Sequence, residues 1–140
     1  MKKVRILFVV AILATVVFSG CDKYEEGPTL TFSSNVKRIT GDWKITKNTK
    51  NGVAETYNVN DHTKINSDGT LVATYYTGSI ALDISGTWKF LNDDVNLEMT
   101  TTYLSYTSTL TYTIKRLSSS ELFMERQDGN DSYRVELKKQ

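Results

Sequence analysis

Residues 104–115 read Leu104-Ser105-Tyr106-Thr107-Ser108-Thr109-Leu110-Thr111-Tyr112-Thr113-Ile114-Lys115. Leu104, Tyr106, Leu110, Tyr112 and Ile114 share one parity; Thr107, Thr109, Thr111, Thr113 and Lys115 share the other. Alternation of period two puts the two sets on opposite faces of a half-buried strand. The β-branched and aromatic content suits that surface. The pattern extends in both directions. Trp43 and Ile45 alternate with Lys44 and Thr46, and Ile80, Leu82 and Ile84 with Ala81, Asp83 and Ser85. Trp88 and Phe90 flank Lys89; Val95, Leu97 and Met99 alternate with Asn96, Glu98 and Thr100; Tyr133, Val135 and Leu137 alternate with Arg134, Glu136 and Lys138. Leu71, Ala73 and Tyr75 against Val72, Thr74 and Tyr76 leaves the phase of that strand open.

Turn chemistry separates these runs: Lys50-Asn51-Gly52, Ser67-Asp68-Gly69, Asn92-Asp93-Asp94, Ser118-Ser119-Ser120 and Asp128-Gly129-Asn130. Asn-Gly and Asp-Gly pairs supply the positive φ of tight hairpins, and short connections between strands make the sheet antiparallel. The one helical candidate is Asn35-Val36-Lys37-Arg38-Ile39, with Ser33 or Ser34 as N-cap. Eight or nine short strands at regular spacing predict an all-β fold. Consecutive hairpins favour an antiparallel up-and-down β-barrel of about eight strands, since closure removes exposed edges. Strands of about six residues favour a barrel that is filled or nearly filled by its own side chains.

The N-terminus has a different logic. Met1-Lys2-Lys3-Val4-Arg5 is cationic, Ile6 to Phe18 is apolar but for Thr15, and Ser19-Gly20 are small. That order predicts a secretory leader over 1–20; its apolar run is about thirteen residues, short of the twenty or so a spanning helix needs. Residues 21–32 read as a flexible tether and 33–140 as the folded domain. Phe18-Ser19-Gly20-Cys21 resembles a bacterial lipobox, with Phe18, Ser19 and Gly20 as the recognition residues and Phe18 departing from the usual Leu. The resemblance implies cleavage before Cys21 and acylation of its sulfur and new amine. Two or three chains give stable anchoring where one does not. The expected partner is then the membrane of a cell envelope, with the outer membrane of a Gram-negative bacterium as the expected site. The acidic run Asp22-Lys23-Tyr24-Glu25-Glu26 resembles a surface-export signal, whereas Asp22 directly after the cysteine resembles an inner-membrane retention signal, so the leaflet stays open.

Composition agrees with a folded, exported domain. Cys21 is the only cysteine of 140 residues, so no intramolecular disulfide forms. Loss of Lys2, Lys3 and Arg5 with the leader takes Lys+Arg from 17 to 14 against Asp+Glu 16. That balance gives no reason to expect nucleic acid and excludes a polybasic membrane patch.

Arg38-Ile39-Thr40-Gly41-Asp42-Trp43-Lys44-Ile45, following the short helix, resembles the start of the first barrel strand of a lipocalin. Gly41 and Trp43 match that family's Gly-x-Trp. The resemblance implies that Trp43 sits at the barrel base and packs on an arginine of the last strand, for which Arg134 is the candidate and Arg126 the alternative. Asn51-Gly52, Asp68-Gly69-Thr70, Gly86-Thr87-Trp88 and Tyr112-Thr113-Ile114 complete an outline similar to small lipocalin-like lipoproteins of the Bacteroidetes type, over about Ser33 to Lys138. The echo of Gly41-Asp42-Trp43-Lys44 in Gly86-Thr87-Trp88-Lys89 reads as two strand starts, each with a glycine that bends the chain and a tryptophan that plugs a barrel end, rather than as an internal repeat.

Little in the chain points to chemistry. His62 is the only histidine. Its neighbour Asp61 points to the opposite face of a strand, and no nucleophile is placed to complete a triad. Asp93, Asp94, Asp128 and Asp131 lie in turns without the ligand number a calcium site needs. No nucleotide fingerprint or Cys/His cluster occurs. No enzyme, metal or cofactor is expected. Tyr75, Met99, Tyr106, Leu110, Tyr112 and Met124 are the candidates to line a small apolar pocket. Two functions follow: a membrane-anchored barrel binding a small hydrophobic ligand, or a filled barrel serving as an interaction, accessory or inhibitor module for an envelope protein, through an exposed strand or loops such as Thr100 to Ser105.

Overall fold

The computed structural model describes residues 23–28 and 31–140. The leader, with Phe18, Ser19, Gly20 and Cys21, lies outside them. In chain order the described elements are α1 (Asn35–Ile39), β1 (Gly41–Lys50), β2 (Val53–Ala54), β3 (His62–Ile65), β4 (Thr70–Thr77), β5 (Ile80–Leu91), β6 (Asn96–Tyr103), β7 (Tyr106–Leu117), β8 (Glu121–Asp128) and β9 (Asp131–Lys139). From β3 to β9 each strand pairs antiparallel with the next, β3 pairs with the start of β1, and β9 returns to β1 with Trp43 opposite Lys139 and Lys50 opposite Tyr133. The result is a closed eight-stranded barrel. β2 adds a two-residue hairpin arm to the far end of β1.

Ser34 caps α1, its hydroxyl accepting from the Lys37 N–H at 3.3 Å. The helix lies across one end of the barrel, and Ile39 is buried there with Trp43, Trp88, Leu97, Leu117 and Leu122. The hairpins at the other end (Asn51-Gly52, Gly78-Ser79, Leu104-Ser105 and Gly129-Asn130) form a mouth.

Four expectations need correction. Most strands are longer than six residues: β5 and β7 each run for 12, and only β2 and β3, with 2 and 4, are shorter. The Ile80–Ser85 and Trp88–Phe90 runs are one strand, and Gly86 lies inside it rather than at a start. A Cβ there would stand 2.2 Å from the Thr100 carbonyl oxygen, so the glycine permits close approach of β6 and does not make a turn. Thr100–Tyr103, expected in a loop, belong to β6, and the turn is only Leu104-Ser105, with Leu104 at φ 54°. Residues 23–28, read as flexible tether, are packed on the closed end: Tyr24 is 1 % exposed and belongs to the core cluster. The tether reading rests on a polar, acidic run with no apolar alternation. Both acids meet cations of the barrel wall, Glu25 with Lys115 and Glu26 with Arg134.

Candidate functional site

Antiparallel register assigns the inner face. Leu71, Ala73 and Tyr75 of β4 oppose Gly86, Ile84 and Leu82 of β5, while Met99 and Leu97 of β6 oppose Leu110 and Tyr112 of β7. Met124 pairs with Val135, and Leu122 with Leu137. The β4, β7, β8 and β9 members of these pairs, with Met99 of β6, surround a cavity of about 290 Å³, with Trp43, Ile45, Leu71, Leu122 and Leu137 among the deeper apolar walls and Asn48, Asp61 and Thr63 as polar lining. That volume is at the lower end for small-molecule pockets, about 300 Å³ upward. The longer strands are why the barrel is not filled: the lower half is plugged by the core, and the upper half encloses space.

Tyr75, Met99, Leu110, Tyr112 and Met124 all contribute to this wall. Tyr106 does not. It is 84 % exposed beside the Leu104-Ser105 turn, where β7 has risen clear of the cavity. Burial pushes the Tyr75 and Tyr112 phenols above their ordinary range; for Tyr75 the Asp61 carboxylate adds to this, and for Tyr112 the Arg126 cation opposes it. Both hydroxyls are therefore neutral donors at physiological pH.

The wall has a seam. β7 and β8 pair from Thr113 opposite Glu125 to Leu117 opposite Leu122. Nearer the mouth, Tyr106–Thr111 are laddered only to β6, and Arg126–Asp128 only to β9. Tyr112 lies on one bank and Arg126 on the other. The Arg126 guanidinium stacks 4.0 Å over the Tyr133 ring and donates to Asp128 Oδ2 at 3.1 Å. Lys50 and Asp131 form an ion pair of 2.7 Å on the same side of the mouth. The lip is therefore two-sided in chemistry. Charged groups stand on β8, β9 and β1, and exposed apolar side chains (Ile80, Leu104, Tyr106) on the hairpins of β4–β5 and β6–β7.

Gly41 and Trp43 lie at the base, where β1 begins. Gly41 has φ +148°, and a Cβ there would meet the Lys139 side chain at 2.9 Å. The buried Trp43 indole donates from Nε1 to the Ile39 carbonyl at 2.7 Å, and Trp88 donates likewise to Asn66 O at 2.8 Å. Arg134 does not pack on Trp43. Val135 and Leu137 face inward, so Arg134 faces out, where it bonds Glu26, Glu125 and Glu136. Arg126 does not reach Trp43 either, being at the mouth. The cation over Trp43 is Lys139, 4.8 Å from the ring centroid, with Nζ donating to Arg38 O at 2.6 Å and Thr40 O at 2.7 Å. Its ammonium thus closes the carbonyl end of α1, and burial lowers its pKa. The lipocalin resemblance implies an arginine at this place, and a lysine of the last strand occupies it.

His62 borders the cavity, with Nδ1 2.9 Å from Asn60 O and its ring 6.2 Å from that of Tyr76; Asp61 precedes β3 and so lines the same cavity instead of facing away as strand alternation predicts. Three of the four turn acids are committed elsewhere: Asp94 to Asn35 and Lys23, Asp128 to Arg126, Asp131 to Lys50 and Asn51. Among the described residues no three His, Cys, Asp or Glu side chains converge on a metal position. The arrangement offers an apolar volume with a polar rim, which is suited to holding a molecule.

No protein-family model matches the chain, and no curated protein matches its sequence. Solved structures do resemble it in fold. A lipocalin-like protein from Bacteroides uniformis superimposes with a TM-score of 0.60 at 12 % identity, covering 74 % of this chain and 99 % of the other. Insecticyanin from the tobacco hornworm Manduca sexta gives 0.61 at 10 % identity, covering 85 % and 68 %. A structure described as an LTBP1 LTC4 complex gives 0.54 at 14 % identity, covering 87 % and 79 %. At such identities the likeness concerns the backbone: the domain has a lipocalin-like β-barrel fold.

Proposed function

We propose that the chain is a lipid-anchored, lipocalin-like lipoprotein that holds a small hydrophobic molecule in the cell envelope. The observation that carries the binding role is the cavity of about 290 Å³, apolar at depth and open beside Tyr75 and Leu110. One fold-neighbour is described as a complex with LTC4, which supports occupancy of such a barrel. The ligand's apolar part lies against Ile45, Leu71, Met99 and Val135, and any polar end lies at the rim. The role is binding, not turnover. Anchoring comes through lipid on Cys21 within the Phe18-Ser19-Gly20-Cys21 motif.

Native mass spectrometry of the soluble chain beginning at Asp22 tests the binding. After incubation with long-chain carboxylates and isoprenoid alcohols, an added mass is expected that disappears on denaturation. It should also be missing from Ala73→Trp, which fills the cavity from β4. No added mass with any of these compounds, or equal uptake by Ala73→Trp, overturns the reading. For the anchor, Cys21→Ala is expected to abolish acylation; a variant still processed and membrane-bound overturns it.

A second reading is favoured by one observation. Ile80, Leu104 and Tyr106 are 74 %, 85 % and 84 % exposed on adjacent hairpins, and an exposed apolar cluster of this kind marks protein contact sites. In that reading the barrel is an envelope interaction module. Ile80→Lys with Leu104→Lys would then abolish partner capture and leave ligand uptake unchanged.

A further inference from the structure

We infer that the docked tether holds the closed end of the barrel against the bilayer that carries the anchor, with the mouth pointing away from it. This rests on the proposed lipidation of Cys21. Two residues, Asp22 and Lys23, separate that cysteine from Tyr24, and the three Cα–Cα steps between them span at most about 11 Å. Tyr24 is a fixed point. Its ring is buried under the Arg38 guanidinium, 5.7 Å from Cζ to the ring centroid, and its hydroxyl donates to the Asp94 carbonyl at 3.2 Å.

The residues that follow are fastened by main chain as well as side chain. The Glu26 N–H donates to Lys115 O at 2.8 Å, beside the bulge that interrupts β7. Arg116 donates to Glu26 O at 2.6 Å, and Arg134 grips the Glu26 carboxylate with two nitrogens at 2.6 and 2.8 Å. Lys23 pairs with Asp94 at 3.3 Å. A free twelve-residue linker would instead wander by about 20 Å.

Tyr24 docks at the closed end, and Glu26 lies farther up the outer wall, where Arg134 pairs with Thr49 and Glu125. Asp94 lies in the β5–β6 turn, Arg38 on the helix that covers the base, and Lys115 near the end of β7. The opposite rim is reached along β7, whose 12 residues rise about 3.3 Å each at a tilt of about 40°, giving roughly 30 Å between base and mouth. The lipid therefore cannot reach the mouth side while Tyr24 stays docked. The apolar lip of Ile80, Leu104 and Tyr106 faces the aqueous side, and a ligand enters from there.

The test uses the full chain, acylated in the host and reconstituted in phosphatidylcholine vesicles that carry nitroxide headgroups. Ser119→Cys (closed end) and Ser105→Cys (mouth) are labelled with one fluorophore, Cys21 being consumed by acylation. Quenching at Ser119 is expected to exceed that at Ser105 several-fold. A flexible Gly-Ser insert after Asp22 leaves the docked residues intact and should bring the two towards equality without changing the thermal melt. Equal quenching with the native tether, or an insert with no effect, overturns the orientation while membrane binding persists. A chain that carries no lipid and does not partition overturns the lipoprotein reading, and the orientation with it; acyl mass on Cys21 tells the two failures apart.

Discussion

Replacing Tyr24 by alanine measures whether the segment before the barrel is part of the fold. The side chain is 1 % exposed, and a buried aromatic ring removes about 150–250 Å² from water. At about 25 cal/mol per Å² that is roughly 4–6 kcal/mol as an upper bound, close to the ~3–5 kcal/mol found for large aromatic-to-alanine changes in cores. Tyr24→Ala in the soluble chain beginning at Asp22 should therefore lose about 3–5 kcal/mol, seen as a melting temperature lower by more than about 10 °C in a circular-dichroism scan. Deletion of residues 22–30 should give a similar loss, and the two changes should not add. Tyr24→Phe isolates the hydroxyl bond to Asp94 and should cost only about 0.5–1.5 kcal/mol. The wild type should also show an alkaline signature. Burial pushes the phenol from 10.0 up to about 12. A raised folded pKa favours the protonated form, so this contribution is complete below pH 10 and is lost as pH rises from about 10 to 12. Tyr24→Phe should lack that phase. A Tyr24→Ala protein within ~1 kcal/mol of wild type would refute the argument, because a ring buried in a cooperative core cannot be removed so cheaply.

Three further outcomes are expected. Gly86→Ala places a Cβ 2.2 Å from the Thr100 carbonyl and should destabilise by about 1–3 kcal/mol through forced separation of β5 and β6; an unchanged urea midpoint would show that the strands can move apart freely. Lys139→Met removes the two bonds to Arg38 O and Thr40 O and the cation over Trp43; a loss of about 2–3 kcal/mol with a changed Trp43 near-ultraviolet signal is expected, against no change if the ammonium is a bystander. The Arg134 bond holds the Glu26 carboxyl below its ordinary 4.5. A lowered folded pKa stabilises above 4.5 and is lost as pH falls through the folded value, so proteolytic clipping at Glu26 should rise in acid and Arg134→Gln should show it already at neutral pH.

The strands were legible because one wet face forces alternation, and the facing of side chains followed from it: Tyr133, Val135 and Leu137 turn one way along β9, Arg134 and Glu136 the other. Alternation is local, however, and says nothing of how far a strand continues. Gly86 looked like a terminus because glycine usually marks one, and its true role depends on a neighbour in β6. The cavity was misjudged for the same reason, since interior volume depends on strand length. Tyr106 carried the right parity but lies beyond the point where the barrel encloses anything. Arg134 was chosen by residue type, and its outward position follows from the very alternation that placed Val135. The docking of Tyr24 had no periodic signal, because a single aromatic in an acidic run has no face; the cation over its ring is Arg38 of α1, and those that hold the neighbouring Glu25 and Glu26 are on β7 and β9, about ninety and more residues away.

Closure of β1 on β9 also governs how the barrel comes into being. Hairpins from β3 to β9 can form from neighbours in sequence, but the last ladder joins Trp43 to Lys139 and Lys50 to Tyr133. It must wait for nearly the whole chain. Contacts of such long range slow folding, and until they form both edges of an eight-stranded sheet stand unpaired. The anchor of Lys139 beneath Trp43 is thus the final act of assembly, so a chain truncated within its last nine residues would be left as an open, adhesive sheet rather than a slightly weaker barrel.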